Sequence, residues 1–243
     1  MQGVQMNNSE NEIDVLLKRF QERYRQKKIL NLLISFVIIV MGISSVIFIY
    51  EYDKEGLLTF RWMTVDGTIF TTIMTICFVA VNLTELIEDT ELTMRFAYFA
   101  RLSSAVAEGL IMTVVLISQL PMFPQHMHIL RYDMMCMHIL IPILTITSFV
   151  FNDSPMPHLG FWDLMKGTSF ITVYAIVILT LIQSGVVVKK LIPYFFLDLE
   201  ALGAPMSVAV FLIIYGIGYL LSLGLSTLNR KLYWNWFRNL KES

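Results

Sequence analysis

Charge is scarce in this chain. Asp, Glu, Lys and Arg make up 15% of its 243 residues, where a soluble domain carries roughly a quarter, and the deficit argues against a water-soluble fold. The signs nearly cancel, 18 basic residues against 19 acidic, so the total charge implies no nucleic-acid partner. There are only two cysteines, Cys77 and Cys136. Both fall inside apolar stretches, which excludes a disulfide framework or a zinc site and reads them as small buried apolar residues. Gly-rich phosphate loops, GxSxG elbows, HExxH motifs and paired His/Cys sets are all missing. Nucleotide binding, α/β-hydrolase and metalloprotease chemistry therefore lack their signatures, and neither a cofactor nor a metal is implied. Of the four histidines, His126, His128 and His158 fall in loops. His126-x-His128 has no further ligand beside it to build a metal site. No internal repeat or low-complexity tract is present.

What the chain has instead is apolar sequence in blocks. Hydrophobic residues make up 56% and the mean hydropathy is +0.65. The blocks run about 20 residues, the length that crosses a ~30 Å hydrocarbon core as helix. They are too long and too continuous for the alternating, roughly 10-residue strands of a membrane barrel. Six spans follow, at about 29–50, 58–81, 96–119, 134–151, 168–188 and 205–228. The expected fold class is an all-α membrane protein: a six-transmembrane helix bundle over 29–228, an N-terminal segment 1–28 and a tail 229–243. In the first segment Ile13, Leu16, Leu17, Phe20 and Tyr24 recur at helical spacing among Lys18, Arg19, Arg23, Arg25, Lys27 and Lys28, the pattern of an amphipathic interfacial helix. A signal peptide is not indicated, because the apolar run is span-length and no small-residue cleavage site follows it.

Basic residues flank both termini, with Arg230, Lys231, Arg238 and Lys241 at the C-terminal end. By the positive-inside bias both termini are cytoplasmic, which an even number of spans allows. Lys189 and Lys190 fall on the outer side and count mildly against this orientation. Trp234, Trp236 and Phe237 suit an aromatic anchor at the inner interface.

Three spans carry polar stripes. Thr64, Thr68, Thr71, Thr72 and Thr75 are spaced i, i+4, i+7, i+8 and i+11, one face of a helix. His138, Pro142, Thr145 and Asn152 share a face of span four, and Arg101, Ser104 and Glu108 share one of span three. Such stripes face a bundle interior or a cavity. A single threonine in a span usually bonds back to the carbonyl one turn earlier, and small residues also favour helix packing. An intramembrane histidine is costlier and marks a functional hypothesis. Arg101 and Glu108, i and i+7 apart, read most simply as members of a structural ion pair, either with each other or with a neighbouring helix.

Spans two and four run in the same direction, and their assigned starts place Thr64 and His138 on the order of 6–10 Å below the outer boundary. A hydroxyl becomes a nucleophile when a base takes its proton, and imidazole has the pKa for that role near neutrality. Asp66, Glu108 and Asp198 are candidates for a third group that orients the base. Pro142 exposes a span-four carbonyl but supplies no oxyanion donor. Gly67 offers a close approach of substrate to backbone.

The stretch FRWMTVDGTIFTT, followed two spans later by MHILIPILTITSF and FNDSP, resembles the androgen-induced and androgen-dependent integral membrane proteins, and looks closer still to bacterial membrane proteins with the same stretches. The segment PYFFLDLEALG is similar to an aromatic-rich stretch in those bacterial relatives. The resemblance is specific over about a fifth of the chain. It implies a six-span intramembrane threonine hydrolase of fatty acid esters of hydroxy fatty acids, with Thr64 as nucleophile and His138 as base. It also implies a lipid or fatty acyl ester as partner and a bacterial cell membrane as location. Asp66, Thr68, Arg101, Glu108 and Asp198 remain candidate lining or orienting residues. Two readings from other classes stand beside it. One is a non-catalytic transporter or lipid-binding protein with Arg101 and Glu108 midway along a permeation path. The other is a structural protein whose polar stripes lock helices together.

Overall fold

The computed structural model describes residues 2–88, 95–122, 129–194 and 197–242. Among them there is no strand, and six helices are long and apolar enough to cross a membrane. These are α1 (Gln2–Asp53), α2 (Met63–Glu88), α3 (Arg95–Ile117), α4 (Tyr132–Asn152), α5 (Phe161–Gln183) and α6 (Ala204–Glu242). His126 and His128 lie outside the described residues.

The N-terminal helical segment is present and does not break before the first span. α1 runs unbroken through 52 residues, about 78 Å at 1.5 Å per residue, far more than a bilayer core needs. Its polar half extends beyond the bundle and pairs with the end of α6. Phe20 packs on Trp236 at 5.7 Å and on Phe237 at 5.9 Å between ring centroids, and the Lys27 ammonium lies 3.8 Å from the Trp236 centroid. Both terminal extensions therefore lie at one end of the bundle.

α3 is the central helix, with Leu102, Ala105, Val106 and Ala107 fully buried and α2, α4 and α6 packed around it. Its Ser103, Ser104, Ala105, Ala107 and Gly109 let those neighbours approach closely. Large apolar residues such as Leu33, Phe36, Ile176 and Leu212 point outward, where lipid replaces water. Cys136 is buried as expected, whereas Cys77 is exposed on the outer surface of α2. Gly67 serves packing rather than substrate: a Cβ there would lie 2.6 Å from Ile111 Cδ1 on α3.

Buried ionic and amide groups bind the helices together at the end that carries the termini. Arg101 on α3 donates to Asp153, just past α4, at 3.1 Å and to Ser148 at 2.6 Å, and its guanidinium lies 4.4 Å from the centroid of Phe78 on α2. Asn31 of α1 donates to the second Asp153 oxygen at 2.9 Å and accepts from Ser148. Lys28 pairs with Glu85 at 2.5 Å and bonds Asn82 at 3.2 Å. Asn229 of α6 donates to the carbonyls of Phe149 and Asp153 at 3.0 and 2.8 Å. Arg101 thus pairs across helices rather than with Glu108, because seven residues along one helix put the two side chains about 10 Å apart in height.

Candidate active site

At the other end of the bundle the second span begins later than the apolar content indicates. Gly56–Arg61 forms a separate 3-10 turn, and α2 starts at Met63. Thr64 is therefore in the first helical turn, not six residues down a span. Met63 and Thr64 lead the helix, so their amides belong to the set that a helix start leaves without intrahelical acceptors. The positive end of the helix dipole lies in the same place. The 3-10 turn is held by Arg61, which bonds Glu55 at 2.7 and 3.0 Å, while the Arg61 carbonyl accepts from Tyr174 at 2.7 Å.

α4 enters the site through a π turn, Cys136–Leu140. Pro142 supplies the local reason: it has no N–H to offer the His138 carbonyl, and its ring would clash with that carbonyl in a regular helix. A second π turn, Val115–Gln119, precedes Pro121 in the same way at the end of α3. Wide turns of this kind frequently occur at functional sites, and here they carry Gln119 and His138.

These elements enclose a chamber of about 590 Å³. Thr64, His138, Gln119 and Tyr194 line it together with Asp53, Glu55, Trp62 and Met137. Thr64 and His138, brought from separate helices, thus face one space, although no hydrogen bond between them is found among the described residues. The imidazole is 6% exposed, and its Nδ1 lies 2.9 Å from the Met134 carbonyl. A carbonyl can only accept, so Nδ1 carries the proton and Nε2 keeps the basic lone pair. The group that fixes the ring is therefore a backbone oxygen one turn earlier, not a carboxylate. Asp133 is nearby and fully buried, but Arg131 holds both of its oxygens at 2.6 Å. Arg131 also lies 3.8 Å from Asp53 and stacks 4.3 Å from the Tyr52 centroid.

Tyr194 comes from the connection after α5 and had no periodic signal in the sequence. Its ring packs edge-on to Trp62 at 5.9 Å. Its phenol lies close to the Thr64 side chain and the Met63 backbone, both of which act on it electrostatically. Burial pushes its pKa up to about 12 despite those two contacts, with Asp66 adding to the rise. A narrow apolar slot of about 60 Å³ lies on the far side of Thr64, lined by Leu110, Val114 and Ile214 among others. Thr64, Gln119 and Tyr194 border both spaces and form the partition between them.

The other sequence candidates lie elsewhere. Asp66 sits near Tyr174 and Tyr194 but does not line the chamber. Thr68 and Glu108 are fully buried deeper in the bundle. Arg101 belongs to the ionic cluster at the opposite end. Asp198 caps the short helix Leu199–Leu202, accepting from the Ala201 amide at 3.0 Å. His158 lies exposed in a loop. No family model, curated protein or solved structure matches the chain.

Proposed function

We propose that the chamber is the active site of an intramembrane hydrolase of lipidic, fatty acyl esters. The observation that carries this reading is the convergence of Thr64 and His138 on one chamber at the N-terminus of α2. The resemblance of the FRWMTVDGT and MHILIP stretches to intramembrane threonine hydrolases points the same way.

The chemistry is acyl transfer in two steps. Thr64 Oγ attacks the ester carbonyl while its proton passes to His138 Nε2, directly or through one water. Charge on the carbonyl oxygen develops beside the Thr64 amide and the Tyr194 hydroxyl, where donors and the helix dipole both favour it. The C–O bond to the alcohol breaks, the alcohol leaves with the proton from His138, and an acyl ester remains on Thr64. Water, deprotonated by His138, then attacks that ester, and the fatty acid departs as Thr64 recovers its proton. Of the two spaces only the chamber, at about 590 Å³, has room for a fatty acyl chain, and the slot behind Thr64, at about 60 Å³, takes no more than a short apolar group.

A permeation path through Arg101 and Glu108 has less support, because Arg101 is tied to Asp153 and Ser148 across the bundle. Labelling with a fluorophosphonate probe tests the hydrolytic reading in purified protein. Wild type is expected to label, with signal lost in Thr64→Ala and sharply reduced in His138→Ala at unchanged folding. Labelling that persists in Thr64→Ala removes Thr64 as the nucleophile.

A further inference from the structure

Below the chamber the threonine stripe of α2 divides into two kinds of residue. Thr72 and Thr75 donate to the carbonyls of Thr68 and Thr71, each at 2.7 Å, and Thr113 on α3 does the same to Gly109 at 2.7 Å. This is the ordinary way for a threonine to satisfy itself in a membrane helix. Thr68, Thr71 and Thr145 do not do it. All three are fully buried, and their hydroxyls have no hydrogen-bond partner.

Glu108 lies on α3, the helix packed between the α2 and α4 that carry them. Its carboxyl is fully buried and neither oxygen has a partner within hydrogen-bond geometry, although the Thr71 hydroxyl is close enough to act on it. Helix register explains the grouping. Gly67 meets Ile111 and Phe78 meets Arg101 across α2 and α3, which sets Thr71 level with Glu108 and Thr68 one turn nearer the chamber. Gly109 meets Ile146 across α3 and α4, which sets Thr145 level with Glu108. Thr145 also lies one turn from Ser148, on the face of α4 that bonds Arg101 of α3. Three helices thus bring one carboxyl and three unpartnered hydroxyls within about one helical turn of a common depth, about 12 Å along α2 from its first residue.

A lone carboxylate in this setting must be neutralised. A proton on Glu108 would neutralise it and let it donate one hydrogen bond and accept from a threonine hydroxyl, but it would not draw all three hydroxyl oxygens to one centre. A small hard cation uses all of them at once, since carboxylate and hydroxyl oxygens are the ligands such ions take. One carboxylate balances one positive charge, which favours a monovalent ion over calcium or magnesium. Coupling ions in membrane proteins are held at similar depths.

We infer that Glu108, Thr71, Thr145 and Thr68 form a sodium-binding site in the interior of the bundle. The site is separate from the chamber and does not depend on any chemistry at Thr64.

The test is thermal unfolding of the full chain in detergent, followed by tryptophan fluorescence, in choline chloride titrated with sodium chloride or potassium chloride at constant ionic strength. Wild type should show a saturable rise in unfolding temperature with sodium and little with potassium. That rise should be lost in Glu108→Gln and weakened in Thr71→Val. Direct binding of radioactive sodium to wild type keeps the test valid if Glu108→Gln does not fold. An unfolding temperature that is equal in sodium, potassium and choline, together with no bound sodium, overturns the proposal. So does a full sodium response in folded Glu108→Gln.

Discussion

The Tyr194 phenol lies close to Thr64 and Met63, where its hydroxyl can donate to the developing oxyanion. Tyr194→Phe removes a donor to the developing oxyanion, and a loss on the order of 100-fold in turnover of a fatty acyl ester is expected, with KM changed far less. The same residue has a consequence for stability. Its pKa rises from the ordinary 10 to about 12 in the folded chain, chiefly through burial. Below pH 10 the folded and unfolded chains both hold the proton. Above it the unfolded chain releases the proton first, so the stability tied to Tyr194 declines as pH rises from 10 through about 12. Unfolding curves over that window should fall less steeply for Tyr194→Phe than for wild type.

Each of the two wide helical turns in α3 and α4 ends two residues before a proline. Replacing Pro142 restores the missing N–H and removes the clash with the His138 carbonyl, which lets the segment relax toward a regular helix. The imidazole is then expected to turn away from the chamber. Pro142→Ala is expected to keep or raise the unfolding temperature while lowering esterase turnover on the order of 100-fold, the scale of a small misplacement of a reacting group. A fall in both would mean that the proline serves stability alone. The prolines were legible in the sequence, as were Thr64 and His138. A hydroxyl stripe stands out at helical spacing, and an imidazole is conspicuous in an apolar run. The late start of α2 was not legible, because Gly56–Arg61 is as compatible with a span as with a 3-10 turn. Nor was Gln119, which reaches the site from a helix end where periodicity carries no information, and Tyr194 stood out only as part of the aromatic-rich PYFFLDLEALG stretch, with no spacing to give it a role. The partner of Arg101 was out of reach for a different reason: spacing within one helix identifies a face, and the Asp153 that faces it comes from a separate helix.

Taken whole, the bundle is closed at one end and hollow at the other. Buried ion pairs and amides join α1, α2, α3, α4 and α6 where the termini emerge, while the chamber opens at the far end. Removing one partner of a buried pair leaves the other charge unpaired, so Asp153→Ala should destabilise the bundle by about 3–5 kcal/mol. The double change Arg101→Met with Asp153→Leu should cost distinctly less. Chemical unfolding in mixed micelles measures both. If the double variant is as damaged as the single, the cluster acts by shape rather than by charge pairing.

The proposed hydrolysis requires Thr64 to be an activated nucleophile in this chamber. Peptide mass spectrometry on wild-type protein, after reaction with a fluorophosphonate, locates the modified atom directly. A single phosphonyl adduct on Thr64 is expected, and it should fail to form in His138→Ala. An adduct on any other residue, with Thr64 recovered unmodified, would contradict it.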